Sequence, residues 1–261
     1  MTAALHRATP FLPLAPVTDT LRVMFGTSTE IPGLAPDLTV TDPSTWVTTE
    51  GLAGDHLDLL LESAGQRWNA QPHAAAALAW KAYTYWLALP AVLGWASARR
   101  VPLLSAGNVL MHYRDPRPLV TLGLHPDIPV AVLPNDPIAL SGLPQIRVVD
   151  NEQALLAEFR RSLLDEHLEP MLNALHQRVR IGRRTLLGSL ASGVAYGILR
   201  SADAVPGSSA DKVHQLLTTL DIDDLVELVP DRTGRLDVQR KTCCLAFTLP
   251  KPKVCRGCCI Q

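Results

Sequence analysis

The sequence predicts an α+β fold that is mostly helical, with a small antiparallel sheet and a C-terminal cysteine-rich loop. Three observations support this prediction. Apolar residues recur at helical spacing over several long segments, short apolar runs separated by prolines occupy the middle of the chain, and all five cysteines lie at its end. With 261 residues, 47% of them apolar and 19% charged, the chain can bury a large core. This composition excludes a disordered protein, a collagen and a disulfide scaffold.

The first fifty residues are rich in proline and threonine, and we expect residues 1–50 to form an irregular lead-in. Short β-prone pieces lie at 21–25 and 38–40. The N-terminal residues lack a secretory pattern, because the apolar run 11–17 is short and interrupted by two prolines. We therefore expect a cytoplasmic protein.

A helical and mixed domain is expected over residues 51–235. Helical spacing of apolar residues predicts a helix over 52–68 and a second, strongly apolar helix over 73–89, which Pro90 kinks or ends. The longest apolar stretch, 82–98, contains this proline and is shorter than the roughly 20 residues of a membrane span. We therefore expect no integral membrane segment.

Short apolar runs follow in the middle of the chain. The runs 118–122, 130–133 and 146–149 predict strands of the small sheet. Asp150 and Gln153 have the spacing of a helix-capping signal, which predicts a long helix that breaks near a later proline, Pro170.

The remaining elements lead to the cysteines. Helical patterns cover 184–200 and 209–220, and a serine caps the second helix. Residues 236–249 read as a strand that delivers the first two cysteines into a terminal loop. The segment 236–261 is therefore expected to be the C-terminal metal-binding segment of one compact unit.

The cysteine spacing indicates a metal site. The thiols belong to Cys243, Cys244, Cys255, Cys258 and Cys259. A C-x2-C pair lets one loop present two thiolates to a metal, and Gly257 gives that loop backbone freedom. Adjacent cysteines on an extended chain point apart, which suits a binuclear cluster better than one compact ion. Four thiolates at this spacing can hold a 2Fe-2S cluster.

Three alternatives remain open for these thiols. A structural zinc ion takes the same ligands. A vicinal disulfide between Cys243 and Cys244 would require oxidising conditions, which a cytoplasmic protein does not meet. The last four residues also satisfy a C-a-a-X prenylation pattern, although the arginine-rich, alanine-rich composition resembles that of a bacterial sequence.

The pattern CC-x10-C-x2-C, preceded by Gln239, Arg240 and Lys241, resembles that of the FhuF-type ferric-siderophore reductases. The stretch 176–192 is similar to the helix before the cluster segment in that family and in related siderophore-synthetase C-terminal domains. The resemblance covers residues 70–259. It implies a 2Fe-2S cluster held by the four cysteines Cys243, Cys244, Cys255 and Cys258. The fifth thiol, that of Cys259, has no place in the family's four-ligand pattern.

The resemblance implies an oxidoreductase that transfers one electron from the cluster to siderophore-bound Fe³⁺ and releases Fe²⁺ for iron assimilation. No glycine-rich nucleotide motif occurs in the sequence, so the electron must come from an external donor such as a ferredoxin-like or flavin reductase protein. No catalytic residue beyond the cluster is expected. The alternative is a non-catalytic, zinc-stabilised domain that binds a siderophore or a protein.

Charge is unevenly distributed. The net charge of −1 gives no indication of a nucleic-acid partner, but residues 232–261 hold seven basic side chains against one acidic one. This excess either favours electron arrival at an anionic cluster or keeps the segment soluble. Arg178, Arg183 and Arg184 are candidate ligands for an anionic siderophore, and a solvated turn is the alternative. The histidines are scattered and read as core or surface residues; His167 is one of them.

Overall fold

The computed structural model describes residues 12–26, 31–113 and 119–260. Over this part of the chain 53% of residues are helical and 15% are in strands, and the small sheets are mixed or mostly antiparallel. The predicted α+β class is therefore confirmed. One large hydrophobic core contains residues from all three expected segments, among them Val17, Trp80 and Val238. The segment boundaries themselves stay a prediction.

The N-terminal segment is more regular than predicted. Helix α1 spans Ala15–Phe25, so the expected β-prone piece at 21–25 is helical instead. A proline in its first turn favours helix initiation, and Val17 and Leu21, one helical turn apart, are both buried. Strands β1 (Leu34–Thr39) and β2 (Val47–Thr48) follow. Residues 1–11 and 27–30 of the predicted lead-in lie outside the described residues.

The central helix of the fold is α3, which spans Pro72–Ala98 after α2 (Asp55–Trp68). Pro90, which was predicted to kink or end this helix, lies inside it, so the helix does not end at residue 89. Eighteen of the 27 residues of α3 are buried, including Pro90 itself. Packing around the helix therefore offsets the roughly 3 kcal/mol that an internal proline costs. No helix in the described part of the chain is long and apolar enough to span a bilayer.

Nine strands form three small sheets in the described residues. The first has the order β1-β5-β4-β2, the second β3-β6-β7, and the third is the hairpin β8-β9. The strands not yet given are β3 (Arg100–Pro102), β4 (Val109–Tyr113), β5 (Val120–Leu124), β6 (Val130–Val132), β7 (Ile146–Val148), β8 (Val226–Pro230) and β9 (Leu236–Arg240). The pairs β1-β5 and β6-β7 are parallel and the others antiparallel. Residue 118 of the first predicted strand lies outside the described residues.

The long helix after β7 is continuous where a break was predicted. It consists of α4 (Glu152–Arg160), a π-helical stretch (Arg161–Leu168) and α5 (Glu169–Val179). The wider π-helical turns directly precede Pro170, whose missing N–H and ring oppose a regular α-helical ladder. The N-cap is Asn151, one residue later than predicted, and its side chain accepts a hydrogen bond from the backbone of Ala154 at 3.0 Å.

The next two helices follow the prediction closely. Helix α6 spans Arg183–Arg200 and α7 spans Ser209–Thr219, and the Ser208 side chain caps α7 by accepting from Asp211 N. Helix α6 packs on α3, where the indole N–H of Trp80 donates to the backbone oxygen of Leu186 at 2.8 Å. Helix α6 also packs on β9 of the final hairpin.

The predicted strand 236–249 is shorter in the structure. Strand β9 ends at Arg240, because only residues up to this position pair with β8. The chain then turns at Leu245, which has a left-handed backbone (φ 60°), into a short 3-10 turn at Ala246–Thr248. The first two cysteines therefore lie in a loop that leaves the hairpin, and not on the strand itself.

Candidate metal centre

Strand β9 brings the two halves of the cysteine segment, residues 242–259, together. The backbone N–H of Arg240 donates to the oxygen of Gly257 at 2.9 Å, and the Gln239 side chain donates to the oxygen of Cys258 at 2.9 Å. The Cys258 N–H donates to the Cys255 oxygen at 3.1 Å and closes the C-x2-C turn. The turn is thus fixed to the same strand from which the first cysteines emerge.

Gly257 is required at this turn by both conformation and space. Its φ of +66° is in the left-handed region, and a Cβ at this position would lie 1.8 Å from the backbone oxygen of Val238. A side chain can satisfy neither condition without moving the backbone. The glycine expected from sequence to loosen the loop therefore allows close contact with β9.

The thiols of Cys244 and Cys255 lie close together, with their Sγ atoms 4.0 Å apart. At a metal–sulfur distance of about 2.3 Å, two tetrahedral thiolate ligands lie about 3.8 Å apart. The observed separation therefore suits two ligands of one metal ion. No disulfide joins any of the five cysteines. Over the described residues, no three His, Cys, Asp or Glu side chains already form a closed metal cage.

The remaining thiols lie around this pair. The Cys243 Sγ accepts a hydrogen bond from the Leu245 N–H at 3.3 Å, while Cys258 is buried and Cys259 is exposed. Burial, together with the nearby Cys243 and Cys258, raises the pKa of the Cys259 thiol. Electrostatic interactions connect Cys255 to Cys244 and Cys258, and Cys259 to Cys243 and Cys258. The choice between Cys258 and Cys259 as the fourth ligand stays open.

Positive charge and backbone donors surround Cys244. Burial alone would raise the pKa of this thiol, but the Ala246 N–H and the charges of Lys81 and Arg240 outweigh it. The pKa of Cys244 consequently lies below its ordinary value. Such an environment favours a thiolate, which is the form that binds metals.

Arg240 carries a buried guanidinium with unused donors. The residue is 2% exposed, and its Nη2 donates to the Ser189 hydroxyl at 2.9 Å. Its Nε and Nη1 have no hydrogen-bond partner among the described residues, and neither has the buried Thr242 hydroxyl. Buried donors ordinarily have acceptors. An anionic centre with sulfur acceptors at the neighbouring cysteines would meet this need, so the residues fit a thiolate-ligated cluster.

Two cavities, each of 710 Å³, meet at Cys255. The first, which we call the α3–α6 cavity, lies between these helices and the loop 246–255. The second, the hairpin cavity, lies beside β8 and β9. Both include Lys81, Tyr85 and Tyr196 in their walls. A proposed metal ligand is therefore accessible from two sides.

The three predicted siderophore-binding arginines lie elsewhere. Arg178 pairs with Asp58 at 2.8 Å, Arg183 with Glu169 at 2.8 Å, and Arg184 with Asp224 at 2.7 Å. None of the three arginines lines either cavity at Cys255. Their role in substrate binding stays a prediction.

Sequence reasoning missed Lys81, Tyr85 and Tyr196 as site residues. Lys81 carried a signal, because it is the only Asp, Glu, Lys or Arg in the whole of α3. The Tyr196 hydroxyl donates to the Arg256 backbone oxygen at 3.2 Å, which holds α6 against the C-x2-C turn. No local sequence pattern distinguishes Tyr85 and Tyr196 from aromatic residues of the core.

The fold and site define a helical α+β protein in which a cysteine cluster is fixed to the last hairpin. Residues 78–234 match the family described as ferric iron reductase FhuF-like transporter. The match covers more than half of the chain, and the protein belongs to this family. The matched range includes Lys81 and α6 and ends before the cysteine segment.

One solved structure, with a TM-score of 0.50, supports the fold. The ATP-bound aerobactin synthetase IucA from a hypervirulent pathotype of Klebsiella pneumoniae is similar with a TM-score of 0.50 and 18% identity, over 66% of this chain and 31% of that one. Another structure of the synthetase gives a TM-score of 0.49 and 17% identity, over 75% and 37%. The chain thus spans about a third of the length of these structures. No curated protein matches it significantly.

Proposed function

We propose that this protein is a ferric-siderophore reductase that holds a 2Fe-2S cluster through Cys243, Cys244, Cys255 and Cys258. Family membership supports the ferric substrate. The observation that carries the cofactor assignment is the convergence of two cysteine pairs on β9, with Cys244 and Cys255 Sγ atoms 4.0 Å apart. We place the protein in the cytoplasm, where thiols stay reduced.

When bound, the cluster supplies one electron to the Fe³⁺ of a docked siderophore, and an external donor such as a ferredoxin-like or flavin reductase protein restores that electron. Siderophore oxygens are hard ligands that bind Fe³⁺ better than the larger, less charged Fe²⁺. Reduction to Fe²⁺ therefore weakens the complex and releases the metal, while the chelator stays chemically intact. No proton transfer is needed, which agrees with the expectation of no further catalytic residue.

The side chains around the cysteines support this role. Arg240 places a buried positive charge beside Cys244 and retains two unused donors, which stabilise additional negative charge on the sulfur ligands. The Leu245 N–H donates to Cys243 and adds a backbone dipole. The buried positions of Cys244 and Cys258 keep water away from half of the ligand set.

Metal analysis of anaerobically purified protein tests the cofactor. We expect a red-brown solution with about two irons and two acid-labile sulfides per chain. A colourless protein with one zinc ion would instead favour the non-catalytic, zinc-stabilised binding domain. For the activity, dithionite-reduced protein is mixed with a ferric siderophore while a chelator traps Fe²⁺. Reoxidation no faster than in buffer alone would refute the reductase.

A further inference from the structure

Lys81 brings the single charged side chain of helix α3 to the metal centre. We infer that it is a positioning residue for electron transfer, whose ammonium group acts through the ligands Cys244 and Cys255 and raises the reduction potential of the centre. This inference rests on the proposed function, because it assigns a role toward the same 2Fe-2S cluster. Three observations carry it: the place of Lys81 in the fold, the thiols on which its charge acts, and its accessibility compared with that of Arg240.

Helix α3 holds Lys81 beside the cysteine segment. The neighbouring Trp80 is fully buried and its indole N–H donates to the Leu186 oxygen at 2.8 Å, which fixes this turn of α3 against α6. Helix α3 also contacts the turn at Ala246–Thr248, which follows the first cysteine pair. Lys81 and Cys255 both form part of the walls of the α3–α6 cavity and of the hairpin cavity. Lys81 and this proposed ligand therefore border the same two spaces.

The charge of Lys81 acts on the thiols of Cys244 and Cys255. Burial raises the pKa of each thiol, and the Lys81 ammonium group opposes this effect in both. The two Sγ atoms lie 4.0 Å apart, as two ligands of one metal ion would. No acidic side chain forms an ion pair with Lys81 in the described ranges. Among these residues, the negative groups that the lysine stabilises are therefore the two proposed ligands.

The charge change on reduction gives this placement its consequence. One electron passes from the external donor protein to the centre, whose net charge becomes more negative by one, and no bond or proton is exchanged. A cation held near the sulfur ligands is attracted more strongly to the reduced state than to the oxidised state. Lys81 therefore shifts the equilibrium toward electron uptake, and loss of its charge should leave the centre harder to reduce.

Arg240 provides a second cation from another element, and its surroundings differ from those of Lys81. Its guanidinium is buried and donates to the Ser189 hydroxyl at 2.9 Å, whereas Lys81 is half-buried and borders two cavities. Dissolved ions screen accessible charges and have little effect on buried ones. The contribution of Lys81 to the reduction potential should therefore decrease with ionic strength, while that of Arg240 should persist. This difference separates a charge effect of Lys81 from a change in packing.

Neutral variants of Lys81 test the inference through the reduction potential of the full-length holoprotein. Lys81→Met and Lys81→Gln remove the charge and keep a side chain of similar length. We expect each to make reduction about tenfold less favourable, which corresponds to a potential about 59 mV more negative. Lys81→Arg keeps the charge and should restore most of the difference. Potentiometric titration followed by visible absorption measures these values, at about 0.05 M and at about 0.5 M salt.

Lys251→Met is the matched control, because Lys251 is exposed in the loop before Cys255 and lines neither cavity. Its reduction potential should equal that of the parent protein. Higher salt should diminish the difference between Lys81→Met and the parent protein, but not the corresponding difference for Arg240→Met.

Iron content and thermal unfolding show whether each variant keeps its cluster and its fold. An unchanged potential in the neutral Lys81 variants, a shift of equal size in Lys251→Met, or a shift in Lys81→Arg as large as in the neutral variants would overturn the inference. A parent protein without iron would refute the proposed cofactor and this inference together. Failure of the reductase assay with the Lys81 effect preserved would refute only the proposed activity.

Discussion

Gly188 of helix α6 lies directly against Thr242, the residue that precedes the first cysteine. A Cβ at Gly188 would be 1.9 Å from the Thr242 Oγ1. The backbone of helix α6 at Gly188 is therefore in contact with the Thr242 side chain, and no room remains between them for a further side chain. This contact explains the glycine physically and gives the first prediction.

Gly188→Ala should destabilise the fold by about 1–3 kcal/mol, because the added methyl group overpacks the contact with Thr242. The cysteine segment should shift, and the iron content of the purified protein should fall. Denaturant unfolding and iron analysis measure the two effects. Gly65→Ala in α2 is the control, since nothing lies within 4 Å of its Cβ position and alanine favours a helix. Equal stability of the two variants would contradict this explanation.

Gly257→Ala should abolish cluster assembly, because a Cβ at this position meets the Val238 oxygen at 1.8 Å. Gly234→Ala separates this clash from backbone strain. Gly234 also has a positive φ (+80°), but nothing lies within 4 Å of its Cβ position. That variant should lose about 1 kcal/mol of stability and keep its cluster. Cluster absorption in both variants provides the measurement, and retention in Gly257→Ala would show that the turn can relax.

Cys259→Ser should retain the cluster, whereas serine at Cys243, Cys244, Cys255 or Cys258 should lose it. Cys259 is exposed, whereas Cys258 is buried and its backbone N–H donates to the Cys255 oxygen. Absorption and electron paramagnetic resonance spectra of the five single variants provide the comparison. The opposite behaviour of Cys258→Ser and Cys259→Ser would make Cys259 the fourth ligand.

Arg240→Met should make the reduction potential of the centre more negative, because a buried positive charge beside Cys244 favours the reduced, more negative state. A tenfold change in the reduction equilibrium corresponds to about 59 mV. Arg240→Lys should recover part of the loss, since it retains the charge. Potentiometric titration measures the shift, and Arg232→Met, at an exposed position, is the control. An unchanged reduction potential in the Arg240→Met variant would rule out this electrostatic role of Arg240.

Stability should decrease as the pH falls from about 6.5 to about 4. Burial lowers the pKa of His167 to about 4, and its Nε2 lies 2.6 Å from the Tyr83 hydroxyl oxygen. The unfolded chain, with an ordinary histidine pKa of about 6.5, binds the proton first, so protonation favours unfolding by up to about 3 kcal/mol. Urea unfolding at pH 7.5 and pH 4.5 measures the loss. His167→Gln should reduce the difference in unfolding free energy between the two pH values. An equal difference in the variant and the parent protein would assign the pH dependence to other groups.

The sequence pattern predicted those helices whose boundaries depend on residues close together in the chain. The helices α6 and α7 and the serine cap of α7 agree with the sequence pattern, because helix periodicity and capping involve neighbouring residues. The effects of Pro90 and Pro170 were not predictable in this way. Packing around α3 and a π-helical stretch before α5 compensate for them, and both depend on the surrounding fold.

The sequence named the cysteines as candidate metal ligands but not the residues around them. The structure brings the thiols of two candidates, Cys244 and Cys255, to 4.0 Å, and the ligand role of the four cysteines stays a prediction. The cavity wall joins Tyr85 and Tyr196, which come from separate helices far apart in sequence. Only the packing of α3 on α6 places these tyrosines together, so the sequence pattern contains no signal for their proximity.

Trp80 and Lys81 are neighbours in the chain with opposite surroundings. The indole of Trp80 is fully buried and tied to Leu186, while Lys81 faces both cavities. The position of Trp80 in the core therefore sets where Lys81 enters the walls of both cavities. A substitution that shifts Trp80 would accordingly change the shape of those walls as well as the stability of the core.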